Sequence, residues 1–406
     1  MRVTQCLSTL LAFASTGVLA GKNVVGYHLS WKKQYSDPMD LSLYTHINFA
    51  FGVPETDGSF TFDGESFLPE LVSSLHSKGV KALLSIGGWS ASHRFSNIVK
   101  NTNTSDNMVR SIVQYIKTHN LDGIDLDWEY PGRLGNACNV VDKDKDSANF
   151  LVFLKKLRSE LAAAFGAGKK LVTLAVRVEP FDGPNGPLKD VSAFAAEVDF
   201  ANLMQYDING GWNKVTGPNA PLNFEPGVGA QVSFVSAIDA WTGAGWPAAK
   251  LNAGYAFYGK STTTLKNMLC NATNQYQPQS NVVPLGDKHD APWHDVCAGA
   301  TANSGTWQWK HLLEQGVLSD PLTAKAPWVR QWDNTTQTPW LFNPKTKTYI
   351  SYDDPQSLKI KADYAASKGL AGAMVWSLDM DSPSNDLLKT LRASVLNCPE
   401  KKKQRQ

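Results

Sequence analysis

Charged residues are scarce in this chain. Asp, Glu, Lys and Arg make up 19% of its 406 residues and hydrophobic residues 42%, a balance that excludes intrinsic disorder and allows a large buried core. Cysteines number only five. No two of them have zinc-ligand spacing, and neither Cys-x-x-Cys nor His-x-His occurs, so a metal site is not expected. Beyond Ala20 no apolar run is long enough to span a bilayer as a helix, and no membrane partner is expected. A basic surface is missing too. The formal charge of +2 rests on Arg2 and on Lys401, Lys402, Lys403 and Arg405; the body between them is slightly acidic, which argues against a nucleic-acid partner. There is no internal repeat, no Ser/Thr-rich linker and no cysteine-rich module after Leu396. One large domain, acting as a monomer, is the expectation.

What is present begins with a leader. Met1-Arg2 precedes an apolar run through Leu7, Leu10, Leu11 and Phe13, and Val18-Leu19-Ala20 supplies small residues before Gly21, the pattern of a secretory signal peptide over residues 1–20. Export to the extracellular space suits the remaining cysteines, Cys138, Cys270, Cys297 and Cys398, an even set in an oxidising compartment. Cys270 with Cys297 is the expected bridge, since both fall in one late stretch, although four cysteines allow three pairings. Sequons stand at Asn103, Asn271 and Asn334, on expected surface loops. The basic tail, residues 399–406, reads as a solvated end that could also hold the protein on an acidic cell wall.

Between leader and tail, strand-like apolar runs recur at Val24 to Tyr27, His46 to Phe51, Ala82 to Ile86, Ile124 to Glu129, Leu171 to Val176, Phe200 to Tyr206, Leu251 to Phe257 and Ala371 to Trp376. Helical patterns lie between several of them. Met108, Ile112, Val113 and Ile116 follow a Thr104/Ser105 cap, and Phe150, Phe153, Leu154, Leu157 and Leu161 recur at helical spacing. Strands alternating with helices imply parallel pairing. Eight such units over residues 21–398 predict an α/β fold of the closed (β/α)₈ barrel type. The pattern breaks once, from about 259 to 340, where polar, irregular text predicts an insertion between the seventh and eighth strands.

The fourth run carries the chemistry. Along an extended strand side chains alternate faces, so Asp125, Asp127 and Glu129 project together while Ile124, Leu126 and Trp128 take the other side. Like charges held so close cannot all ionise, and one carboxyl stays protonated near neutral pH as a proton donor. A solvated acidic face would not interleave its acids with large apolar residues. A calcium loop would carry Gly at the sharp turn, and Leu126 and Trp128 oppose one here. Pro131 ends the strand and leaves Glu129 at the C-terminal mouth, where a barrel places its chemistry. Other strand ends are aromatic or acidic: Tyr27, Phe51, Trp89, Tyr206-Asp207, Tyr258 and Trp376. Flat rings at successive strand ends suit the C–H faces of sugars.

Asp122, Asp125, Asp127 and Glu129 form Asp-x-x-Asp-x-Asp-x-Glu, which resembles the signature of family 18 glycoside hydrolases, the chitinases and their relatives. Ser85-Ile86-Gly87-Gly88 and Met204-Gln205-Tyr206-Asp207 resemble two further family blocks, in the family's order, and the likeness runs from about Asn23 to about Leu396. It is closest to the secreted, single-domain, fungal type. The resemblance implies a chitinase that cleaves β-1,4 bonds between N-acetylglucosamine units with retention and without metal or organic cofactor. It implies that the substrate's own acetamido oxygen attacks the anomeric carbon, an exception to the usual carboxylate nucleophile. Glu129 would be the acid and then the base. Asp127 would orient the acetamido group, Asp125 would share a proton with Asp127, Tyr206 would donate to the acetamido oxygen, and Asp207 would bind substrate and support the acid. Trp376 would floor the cleft, with Trp89 and Trp212 as platforms. Tyr27, Phe51, Gly88, Trp128, Tyr130, Met204 and Tyr258 complete the expected substrate-binding set, and the insertion would be a small α+β wall.

Two departures stand out. Tyr258-Gly259-Lys260 replaces the family's frequent Tyr-Gly-Arg, so a planar bidentate contact is lost. Arg177-Val178-Glu179-Pro180 replaces a segment that is usually small and apolar. Two other readings compete: a chitin-binding lectin on the same scaffold, and an endo-N-acetylglucosaminidase acting on N-glycans. Intact acids at Asp127 and Glu129 oppose the first, and a row of tryptophans suited to a linear polymer opposes the second.

Overall fold

The computed structural model describes residues 22–396. The expected leader, Cys398 and the basic tail lie outside the described residues.

Eight strands carry the parallel pairings that close a barrel: β1 (Asn23–Leu29), β2 (His46–Pro54), β3 (Lys81–Gly87), β4 (Gly123–Asp127), β5 (Leu171–Val176), β6 (Phe200–Leu203), β7 (Leu251–Ala256) and β8 (Gly372–Trp376). Each pairs in parallel with the next, and β8 returns to pair with β1. Helices on the outside include α1 (Leu68–Ser77), α2 (Thr102–His119), α3 (Asp146–Phe165), α4 (Ser192–Glu197), α5 (Phe234–Gly243), α6 (Pro355–Ser367) and α7 (Asp386–Leu396). The first unit is irregular. Only short helical turns, Ser30–Lys32, Lys33–Ser36 and Leu41–Leu43, follow β1, in a stretch that Pro38 interrupts.

Helix ends explain themselves locally. The α2 cap is Asn101, not Thr104 or Ser105: its backbone is extended, and its side-chain oxygen accepts the N–H groups of Asn103 and Thr104, satisfying donors the helix cannot. The helix stops at Asn120, which takes the left-handed conformation at φ 53°. Phe150, Phe153, Leu154, Leu157 and Leu161 of α3 are buried against the barrel, each contributing about 1.5–3 kcal/mol through its burial. They meet the outward residues of β4, Ile124 and Leu126, in one continuous core.

The insertion starts at once after β7. Tyr258–Thr263, Thr306–Gln308, Val329–Asp333, Thr338–Asn343 and Thr348–Ser351 form a five-stranded antiparallel sheet, so it runs past 340 to Ser351. A separate hairpin, Trp293–Asp295 with Ala300–Ala302, projects from it. The expected Cys270–Cys297 bridge is corrected. Cys297 is bonded to Cys138 of the β4–α3 loop, with Cα atoms 5.0 Å apart, while Cys270 is free and exposed on a short turn. Nearness in sequence misled, because the hairpin carries Cys297 away from Cys270 to a loop 159 residues upstream.

Candidate active site

Register sets the acids. Asp125 lies level with Ser85 on β3 and Thr173 on β5, and all three point inward. Asp125 is fully buried and accepts from Tyr27 Oη at 2.8 Å, Ser85 Oγ at 2.7 Å and Thr173 Oγ1 at 2.5 Å. Burial pushes its carboxyl above the ordinary range, and these hydroxyls pull part of the way back. Two residues on, Asp127 is also buried, and its Oδ1 has no hydrogen-bond partner within the protein. Burial first, then the neighbouring Glu129 and Asp125 carboxyls, hold it well above its usual value. Glu129 is raised to about 7, by burial and by Asp207, against a hydrogen bond from Tyr130.

The backbone around the acid is fixed by short polar contacts. Ser92 Oγ donates to the carbonyls of Gly88 and Asp127 and accepts the Glu129 N–H at 2.9 Å. Asn139 Nδ2 donates to the Glu129 carbonyl at 2.5 Å. Gly87 must be glycine. At φ +114° a Cβ there would stand 2.2 Å from the Asp127 carbonyl oxygen.

Above the acids lies a cleft of about 580 Å³. Asp127, Glu129, Met204, Tyr206, Asp207 and Trp376 line it, together with Phe51 and Trp89. The Trp376 ring stacks on Phe51, with centroids 5.7 Å apart. Tyr206 is held protonated, its hydroxyl raised by burial and by Asp127 and Asp207. Asp207 takes a left-handed backbone at φ 53° and pairs with Lys260 at 3.6 Å, a single contact. A second hollow of about 250 Å³ shares Trp31, Asp207 and Trp376 with the cleft and adds Tyr258 and Lys260.

Five expected binding residues lie outside the linings of both hollows. Trp128 is buried on the outer face of β4, stacked on Phe95 and edge-on to Phe150, because strand alternation turns it away from the acids. Tyr27 is buried beneath Trp376, 5.4 Å between rings, and reaches Asp125 rather than the cleft. Gly88 presses on the Phe51 ring and donates its N–H to the Asp127 carbonyl, a supporting position. Trp212 is 61% exposed and lies outside the cleft lining. Tyr130 lies against Glu129, with Arg177 over its ring at 5.8 Å. Asp122 bonds His76 Nε2 and the Ala82 N–H, a structural tie.

Sequence reasoning missed Trp31, which is half exposed and stacks on Phe51, and Asp63, which lines the cleft. It missed Thr173, a hydrogen-bond partner of Asp125. A signal existed for it: Thr173 is the lone polar residue, at an inward position, of an otherwise apolar strand.

Comparison with known proteins agrees with this architecture. A chitinase-like effector of Moniliophthora roreri is 36% identical over 91% of this chain and 92% of its own length. Chitinase A1 of Niallia circulans is 32% identical over 91% of this chain and 57% of its own. The crystal structure of a Rhizomucor miehei chitinase superposes with a TM-score of 0.84 at 35% identity, covering 92% of this chain and all of that one. The sequence model described as glycosyl hydrolases family 18 matches residues 23–381, and the chain belongs to that family.

Proposed function

We propose that the protein is a secreted chitinase acting by substrate-assisted, retaining hydrolysis. The observation that carries this reading is the bare Oδ1 of buried Asp127 beside a Glu129 raised to about 7. A buried carboxyl oxygen without a partner is costly, and an acetamido N–H of the substrate is the donor that completes it. Glu129, protonated near neutral pH, gives its proton to the glycosidic oxygen as the acetamido oxygen closes on the anomeric carbon. It then takes a proton from the water that opens the resulting ring. Asp127, passing the proton it shares to Asp125, holds the N–H and offsets the positive charge, while Asp125 and its three hydroxyl donors fix Asp127 from below. Tyr206, kept protonated, donates to the acetamido oxygen.

The test is hydrolysis of chitooligosaccharides by the native protein and by Glu129→Gln, with products resolved by anomer. Early release of the β anomer by the native protein alone supports the reading. A second reading, a chitin-binding protein without turnover, draws on the relative named a chitinase-like effector. Tight binding by both proteins with no product from either would select it.

A further inference from the structure

The Cys138–Cys297 bridge joins two separate parts of the rim. Cys138 belongs to a loop fastened behind the proposed acid: Asn139 holds the Glu129 carbonyl, and the Val140 N–H reaches the His93 carbonyl after β3. Cys297 sits at the tip of the insertion's hairpin, where Asp295 Oδ1 accepts the N–H groups of Cys297 and Ala298 at 2.8 and 3.0 Å. The hairpin's root is secured independently. Asp290 accepts from the N–H groups of Gly286 and Gly305 and from Ser304 Oγ, and Asp290 and Ser304 line the second hollow. Seven residues of extended chain, as from Ser304 to Cys297, reach on the order of 23 Å. The hairpin therefore leaves the insertion wall and lands on the loop behind Glu129.

It buries little on the way. Trp293 is 51% and Val296 82% exposed, so the span is not there to build a core. Its effect is topological. β4, β5, β6 and β7 are consecutive around the barrel, and the disulfide closes a covalent ring from β4 through the hairpin and insertion to β7. The β6 loop, with Tyr206, Asp207 and Trp212, stands within that sector.

We propose that this strap is a specificity-determining element: it encloses a polymer running from Glu129 past Asp207 into the second hollow, so that an unsubstituted chain enters by its end and bulky side groups are refused. The proposal rests on the cleft being a polysaccharide site. The test compares the native protein with Cys138→Ser/Cys297→Ser on a short chitooligosaccharide and on a water-soluble chitin bearing hydroxyethyl groups. Expected are equal rates on the short substrate and a gain of roughly tenfold on the substituted polymer, about 1.4 kcal/mol, with a faster fall in viscosity per bond broken. Phosphine reduction of the native protein should reproduce the gain. Unchanged polymer-to-oligomer rate ratios in both the double variant and the reduced protein overturn the strap, whatever the variant's folding yield. Should the native protein leave the short substrate intact, the hydrolytic reading falls instead. Binding of the substituted polymer, with and without the bridge, then decides the strap alone.

Discussion

Two of the regions where carboxylates are buried together in this molecule are solved differently. Where the insertion rejoins the barrel, Asp353 is bonded by Lys361 Nζ at 2.6 and 2.7 Å, and Asp354 by Arg330 Nη2 at 2.7 Å. Asp354 also caps α6. Each buried acid there has a cation. On β4, Asp125, Asp127 and Glu129 have hydroxyls, one another and, at Asp127, a bare oxygen; no cation pairs with them among the described residues. At Asp354 burial still raises the carboxyl, but the Ser357 N–H and Arg330 pull it back toward the charged form and make structure. Burial without a cation raises the pKa and makes a store of protons.

Substitutions can break that contrast from either side. Glu129→Gln should cost the largest factor, at least about 10³ in kcat, with chitooligosaccharide affinity retained by calorimetry. Lys361→Met should leave Asp353 buried without its cation and cost about 3–5 kcal/mol in urea unfolding; adding Asp353→Leu should recover much of it. Asp127→Asn should lower kcat by roughly 10² with little change in KM. It keeps a buried polar group but loses the charge that acts on the reacting centre.

The proton store also has a pH signature. Glu129 rises from an ordinary value of 4.5 to about 7, so the acid form persists to that pH and kcat/KM should fall above it. Because the folded value is the higher, the stability it contributes is full below about 4.5 and is lost as pH rises through about 7. Thermal unfolding of Glu129→Gln across that window should show a shallower decline than the native protein. The smallest effect belongs to Lys260→Arg. Its pair with Asp207 is half exposed on the acid's side, so a second contact should change the rate by no more than about threefold.

Much of this was legible in the sequence, for a physical reason. Strand alternation alone put Asp125, Asp127 and Glu129 on one face, and eight apolar runs separated by helical text implied a closed parallel barrel. The same rule placed Trp128 opposite the acids, where it is found. What stayed hidden depends on contacts between distant strands. Thr173 shows as a polar residue in an apolar strand, but its bond to Asp125 depends on register, which no single strand displays. The Cys138–Cys297 bond depends on where an irregular hairpin lands. The first unit's missing helix is a local matter: the text after Leu29 holds one proline and few apolar residues, too few to bury a helix face against the barrel.

The seam between β1 and β8 has a consequence for synthesis. Asn23 to Gly26 pair with Gly372 to Val375, so the first strand made waits for the last. Until then one edge of β1 is open to wrong partners, the hazard of slow parallel sheets. Trp376, at the end of that last strand, is also the floor of the cleft. A nascent chain thus holds its acids long before it holds the surface on which a sugar could rest, and sealing the barrel and completing the cleft are one event.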